Sequence, residues 1–370
     1  MKNSIWAILL FSLSLMTCGS NADNTASHTT AQPSNIIYAD HPSLLYAGRI
    51  DFSKPLAPKL SWPGSYIKAN FTGTSLAMIL DDQFGDNYFN VFIDDDWQNP
   101  HVIDCKKGEH NYQIANDLAS GEHSLTIFKR TEGGEGNSQF IGLVIDNDAL
   151  MASKPKRLER RIEFIGDSIT SGMGNEAPLD GKDDNLAEKN NFLAYGAITA
   201  RKLNAEYSSI SQSGIGIMVS WFDFTMPDYF LQLNAHELND SRWDFQQWQP
   251  HVVVINLFQN DSWLAEERLT PIPTKQQRID AYEHFLARVR TAYPNALIIA
   301  ALGSMSAIQP DSSWPEYISQ AVKQRNINHA DNNIYPFLFD YTGFEKHPRV
   351  SHHQQNSEKL TAFIKEKMSW

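Results

Sequence analysis

Two cysteines, Cys18 and Cys105, are all the thiols in 370 residues. So small a count excludes a disulfide framework and a zinc site built from paired cysteines. Basic charge is also scarce. Lys and Arg total 31 against 43 Asp and Glu, a formal net charge of -12, and no basic run exceeds the patch Lys156, Arg157, Arg160, Arg161. Without a basic face to neutralise many phosphates, the chain is not expected to bind nucleic acid. An acidic surface favours solubility and a neutral or cationic ligand. There is no internal repeat, and a composition of 42% apolar, 20% charged and 11% aromatic residues excludes disordered, collagen-like and coiled-coil classes. At about 100–200 residues per domain, the length implies two domains, each with its own core.

The apolar stretch from Ile5 to Met16 is too short for an ordinary spanning helix. Lys2 precedes it and Thr17, Cys18 and Gly19 follow, the charged, apolar, small-residue order of a secretory signal. Leu15-Met16-Thr17-Cys18 also resembles a bacterial lipobox, in which the cysteine is lipidated. The expectation is a signal at residues 1–18, a polar tether at 19–35 and a lipid anchor on Cys18, placing an exported protein on a bacterial membrane, at the outer membrane or in the periplasm, without spanning it. Simple secretion is the alternative. Cys105 reads as a half-buried strand residue.

From residue 36 to 150 the pattern is short and alternating, as in Leu76-Met78-Leu80, Tyr88-Asn90-Phe92, His123-Leu125-Ile127 and Phe140-Gly142-Val144, with turn formers between the segments. This predicts an all-β sandwich, jelly-roll-like in layout. After a charged linker, residues 158–370 alternate apolar strand candidates with helical stretches. In the series Ile279, Tyr282, Phe285, Leu286, Val289, Tyr293 the period is helical. Alternation of this kind predicts a three-layer α/β domain with a parallel sheet covered on both faces.

Reactive groups in such a sheet collect at the C-terminal strand edge. Four segments meet that condition. Gly166-Asp167-Ser168 follows the strand ending at Ile165 and offers an exposed hydroxyl beside the free N–H groups of a loop or helix start; helix capping is the competing role. Gln212-Ser213-Gly214 follows the next strand, and the N–H of Gly214 is suited to a close approach to a reacting oxygen. Asn260 follows the apolar run Val252 to Leu257, its amide a donor for an oxyanion or the anchor of an Asx-turn. His347 lies beyond the last strand, made extended by Pro348 and preceded by Glu345, a carboxylate able to stabilise an imidazolium. His352 and His353 are its rivals as base.

Together and in this order, the four segments resemble the SGNH/GDSL hydrolases. The resemblance implies Ser168 as nucleophile, an oxyanion hole made by the N–H groups of Ser168 and Gly214 and the amide of Asn260, and His347 as base. Two positions depart from the superfamily pattern: Phe344 stands where an Asp usually precedes the histidine by three, and Phe258-Gln259 where a glycine usually precedes the asparagine. The N-terminal sandwich and His347-Pro348 followed by His352 are similar to carbohydrate esterase family 2. Members of that branch orient the histidine by an acid two residues before it or by a backbone carbonyl, roles falling here to Glu345 or the carbonyl of Lys346.

The expected reaction is therefore serine-ester hydrolysis by a Ser-His dyad or Ser-His-Glu triad, removing O-acetyl groups from plant-wall xylan or glucomannan, with 6-O-acetyl groups on hexoses as the implied preference. No metal or other cofactor is required. Trp263 and Trp314, just after strand edges, are the expected stacking platforms for sugar rings, and Trp221, Trp243 and Trp248 lie in the insertion between the second and third strands. The alternative from another class is a carbohydrate-binding surface lipoprotein with a non-catalytic SGNH-like fold.

Overall fold

The computed structural model describes residues 34–236 and 241–370. The expected signal, Cys18 and nearly all of the tether lie outside these residues; Ser34 and Asn35, placed in the tether by sequence, open the first strand. In chain order the antiparallel strands are β1 (Ser34–Tyr38), β2 (Leu45–Ala47), β3 (Ile50–Asp51), β4 (Lys59–Leu60), β5 (Tyr66–Thr72), β6 (Leu76–Asp82), β7 (Tyr88–Ile93), β8 (His101–Asp104), β9 (Gly108–Ala115), β10 (Glu122–Lys129) and β11 (Ser138–Asp146). One sheet has the order β3-β4-β11-β6-β9, with β1 also on β11; the other has the order β2-β5-β10-β7-β8. Because side chains alternate along each strand, Ile67, Phe71, Leu80, Phe89, Ile127 and Phe140 all point between the sheets and are buried. Cys105, just after β8, is only 3% exposed, more buried than expected, and burial pushes its thiol pKa up.

The outer face of the second sheet is covered as well. Its Leu45, Tyr66, Phe92 and Phe128 join Phe164, Phe192, Tyr195 and Tyr207 in one apolar cluster, with the rings of Phe92 and Phe192 4.5 Å apart. The sandwich thus has a core of its own and shares a second one with the α/β part, and Ser34–Trp370 forms a single compact unit.

The α/β part is built on strands β12 (Arg160–Gly166), β13 (Ala205–Ser211), β14 (Val252–Asn256), β15 (Leu297–Leu302) and β16 (Ile334–Leu338), parallel in the order β13-β12-β14-β15-β16. Its helices are α1 (Ser168–Ser171), α2 (Tyr195–Lys202), α3 (Met226–Tyr229), α4 (Gln259–Arg268), α5 (Lys275–Ala292), α6 (Trp314–His329) and α7 (Val350–Met368). Val252 and Val254 pack with α2 and α7 residues such as Ala197 and Leu360, while Val253 and Ile255 pack with Ile279 and Phe285 of α5 and Ile318 of α6. Burial on both faces explains the unbroken apolar run of β14.

Arg49, between β2 and β3, ties the sandwich to this sheet. It is 1% exposed, donates to the carbonyls of Phe230 at 2.5 Å and Gln232 at 3.0 Å, and pairs with Glu163 of β12 at 3.3 Å. Trp62, Phe230, Trp243 and Phe245 surround its guanidinium, their ring centres 5.2–5.7 Å away. A buried carboxylate needs such satisfaction; Tyr293 and Ser208 complete it with hydroxyl bonds of 2.6 and 3.0 Å.

Candidate active site

β12 ends at Gly166, and the chain turns at once into α1. A β-carbon on Gly166 would lie 2.0 Å from Thr170 Oγ1, so the turn admits only glycine. Asp167 caps α1, its Oδ1 accepting from the Ile169 N–H at 3.0 Å, while its Oδ2 has no partner among the described residues. Burial raises the Asp167 pKa to about 7, with the charge of Asp261 adding to the rise against the Ile169 bond. Ser168, the first residue of α1, is 4% exposed.

His347 Nε2 lies 2.8 Å from Ser168 Oγ, and its Nδ1 lies 2.9 Å from Oδ2 of Asp183. Since a carboxylate only accepts, Nδ1 carries the proton and Nε2 is left to accept from the serine hydroxyl. The acid beside His347 is thus Asp183, not Glu345 and not the carbonyl of Lys346. The chain bends at Glu345 and Lys346, leaving the Glu345 side chain exposed.

Asp183 belongs to the irregular segment between α1 and α2, which side chains flanking His347 hold in place. Arg349 donates to Asp183 Oδ1 at 2.6 Å and to the carbonyls of Gly174, Pro178, Gly181 and His347 at 2.9–3.1 Å. Lys346 Nζ donates to the carbonyls of Asp180 at 2.5 Å and Gly181 at 2.6 Å. Asp183 Oδ2 also accepts the His347 backbone N–H at 3.1 Å. Partial burial would raise its pKa, but the bonds from His347 and Arg349 outweigh it and hold the carboxyl well below the usual carboxylate range. It is therefore an anion wherever the protein is folded near neutrality.

Gly166 pairs with Ser211 of β13 and Asn256 of β14, so the segments carrying Gly214 and Asn260 leave the same sheet edge as Ser168. The N–H of Ser168 and that of Gly214, which has φ +85°, make no bond among the described residues. Asn260 Nδ2 uses one hydrogen on the carbonyl of Ile215, at 2.9 Å, and the other has no partner among the described residues. Asp261 holds the loop after Gly214 from beneath, accepting the N–H groups of Ile217, Met218 and Val219 at 2.9, 2.6 and 3.3 Å. Burial raises its pKa to about 6 against those bonds. Phe258, at the position where a glycine was expected, has φ +93°, a conformation costly for a bulky side chain. Tyr282 and Trp314 clamp its ring at 4.8 and 5.0 Å.

That packing corrects one expectation: Trp314, 9% exposed, is a core wedge beneath Phe258 and not a surface platform. Trp243 is equally buried, and Trp248 donates to Glu206 at 3.1 Å. Trp263 is 41% exposed one helical turn after Asn260, with Nε1 on Ser306 Oγ at 2.8 Å. Trp221, 53% exposed, packs against Gly214 from the other side.

Neither rival histidine reaches the serine. His352 Nδ1 accepts from the Arg349 N–H, and His353 Nδ1 from the Tyr195 N–H, both at 3.1 Å. Burial lowers the His353 pKa to about 3, aided by the neighbouring histidines. Among the described residues no group of three or more His, Cys, Asp or Glu is placed to hold a metal ion. Sequence reasoning missed Asp183, Arg349 and Asp261. The available signal was the acidic cluster Asp180, Asp183, Asp184 in a segment too irregular to form an element.

The chain matches two family models, Carbohydrate esterase 2 N-terminal over residues 46–155 and GDSL-like Lipase/Acylhydrolase family over residues 164–340. A cellulase/esterase from Acetivibrio thermocellus is 35% identical over 339 residues, 90% of this chain but only 40% of that protein's length. An acetylxylan esterase / glucomannan deacetylase from Cellvibrio japonicus is 30% identical over 85% of this chain and 87% of its own. Among solved structures, a family two carbohydrate esterase from Clostridium thermocellum in complex with cellohexaose superposes with a TM-score of 0.79 at 33% identity, covering 88% of this chain and 99% of that one.

Proposed function

The chain belongs to carbohydrate esterase family 2, and from that premise we propose that it is a serine esterase removing O-acetyl groups from xylan or glucomannan. The observation that carries the reading is the unbroken line from Asp183 through His347 to Ser168, with bonds of 2.9 and 2.8 Å. His347 takes the Ser168 proton as Oγ attacks the acetyl carbonyl, and Asp183 stabilises the imidazolium that forms. The tetrahedral oxyanion is received by the N–H groups of Ser168 and Gly214 and the second amide hydrogen of Asn260. His347 then protonates the departing sugar hydroxyl, and water attacks the acetyl-serine by the same route in reverse order.

The exposed ring of Trp263, one helical turn after Asn260, offers an apolar face to a pyranose chain, whereas the exposed Trp221 carries the Arg268 guanidinium 4.6 Å from its ring centre. Support for a polysaccharide comes from the names of the relatives, acetylxylan esterase / glucomannan deacetylase, and from the cellohexaose held by the related structure. A preference for 6-O-acetyl groups and attachment through Cys18 belong to the same proposal. Deacetylation of acetylated xylan, glucomannan and cellulose, with the remaining acetyl positions read by NMR, tests it. Selective loss of 6-O-acetyl groups is expected from the hexose polymers, glucomannan and cellulose; retention of polysaccharide on an affinity gel without acetate release would replace catalysis by binding.

A further inference from the structure

The segment joining β10 to β11 buries charge. Lys129, Glu132 and Glu135 are 0%, 2% and 7% exposed, and buried charges persist only where they are well partnered. Glu132 finds its partners in the other half of the molecule. One carboxylate oxygen accepts the Ser213 N–H at 2.7 Å, and the other oxygen meets Lys189 Nζ at 3.4 Å. The position of Glu132 is itself fixed. Lys129 Nζ donates to its carbonyl at 3.2 Å, and Glu135 accepts its N–H at 3.1 Å while also pairing with Lys189.

Ser213 immediately precedes Gly214. After β13 the Gln212 N–H is bound to the Gly166 carbonyl at 3.3 Å and the Ser213 N–H to Glu132, whereas the Gly214 N–H has no partner among the described residues. A glycine at positive φ has few intrinsic restraints, so an external hold on the residue before it decides where its N–H is aimed. We propose that Glu132, contributed by the β-sandwich, is a positioning residue for the esterase reaction, fixing Ser213 so that the Gly214 N–H faces the oxyanion formed at Ser168. The proposal rests on the esterase reading above. It gives the sandwich a part in turnover, through one carboxylate, beyond its packing against the α/β layers. Burial raises the pKa of both glutamates; for Glu132 the charge of Lys189 and the bond from Ser213 outweigh it, and for Glu135 the charge of Glu132 adds to it.

The test compares full-length Glu132→Asp, Glu132→Gln and Glu135→Gln on p-nitrophenyl acetate and with a trifluoromethyl ketone, whose adduct with Ser168 carries an oxyanion. Asp keeps the charge beside Lys189 but withdraws from Ser213, whereas Gln keeps an acceptor in place. Loss of one oxyanion donor lowers kcat by about 10²–10³. Glu132→Asp, which misaims the donor without removing it, is expected to lose on the order of 10–100-fold in kcat at unchanged KM, with a matching rise in the ketone's inhibition constant. Glu132→Gln is expected to recover most of kcat, and Glu135→Gln to keep it within about threefold even if its Tm falls. Wild-type kcat in folded Glu132→Asp, or equal losses in the Glu132→Asp and Glu135→Gln proteins, would overturn the positioning role while leaving the esterase reading intact. Wild-type protein without esterase activity would overturn both.

Discussion

Replacing Asp183 separates the acid identified in space from the one suggested by sequence. Asp183 Oδ2 accepts both the ring and the backbone N–H of His347, and Oδ1 accepts from Arg349. An asparagine there satisfies neither orientation. With its oxygen towards Arg349, its NH₂ group faces the two His347 donors and drives the imidazole to the wrong tautomer; flipped, it sets NH₂ against a guanidinium. The wrong tautomer in a Ser-His-Asp array costs about 10⁴ in kcat, or about 5 kcal/mol of barrier. Asp183→Asn and Asp183→Ala are accordingly expected to lose between about 10² and 10⁴ in kcat on p-nitrophenyl acetate. Folding should survive, because Arg349 retains its four carbonyl acceptors. Glu345→Ala should keep wild-type kcat. The depressed pKa of Asp183 carries a stability signature too. A carboxylate whose folded pKa lies below its unfolded value near 4 contributes stability that is present above that value and lost as pH falls through the folded one. Asp183→Asn should therefore lower Tm more at pH 7 than at pH 3. Retention of more than a tenth of kcat in both Asp183 variants, or an equal loss in Glu345→Ala, would refute the assignment.

Other expectations follow from the packing. Trp263→Ala should raise KM for acetylated glucomannan about five- to tenfold, the worth of one aromatic stack of about 1–1.5 kcal/mol, and leave p-nitrophenyl acetate unaffected; equal changes on both substrates contradict stacking. Trp314→Ala should instead lower unfolding free energy by about 3–5 kcal/mol, measured by urea denaturation, because it opens a hole under Phe258. Arg49→Ala leaves Glu163 buried without its cation and should also cost about 3–5 kcal/mol; a loss below about 1 kcal/mol would show that the tie between the layers carries little.

The elements most readable in the sequence were those whose side chains face one environment throughout. Alternation in β6 and β11 and the helical period of α5 arise because each buries mainly one face, and the unbroken run of β14 because it buries two. Ser168 and His347, which meet in space, were legible because one follows directly on a strand and the other lies in the last loop, so chain order alone brings them to one edge. Asp183 was not, since its place is set by Arg349 and Lys346, more than 160 positions away, and the acidic cluster around it marks the segment without encoding that place. Glu345 misled for the opposite reason: it is near His347 in sequence, but the bend at Glu345 and Lys346 turns it to solvent. Trp314 stands at a strand edge as a platform would, yet its ring is taken up in the core, 5.0 Å from that of Phe258. The shared core between sandwich and α/β layers was likewise hidden, because an outer face packed against another layer alternates like an inner one.

Acetate release from acetylated glucomannan, measured side by side with wild-type protein and Ser168→Ala at equal folded concentration, bears on the central claim most directly. Sustained release by the wild type and a fall of at least about 10³ in the variant are expected. Release by Ser168→Ala at the wild-type rate, or none by the wild type on any acetyl ester, would contradict a nucleophilic Ser168 poised by His347 and Asp183.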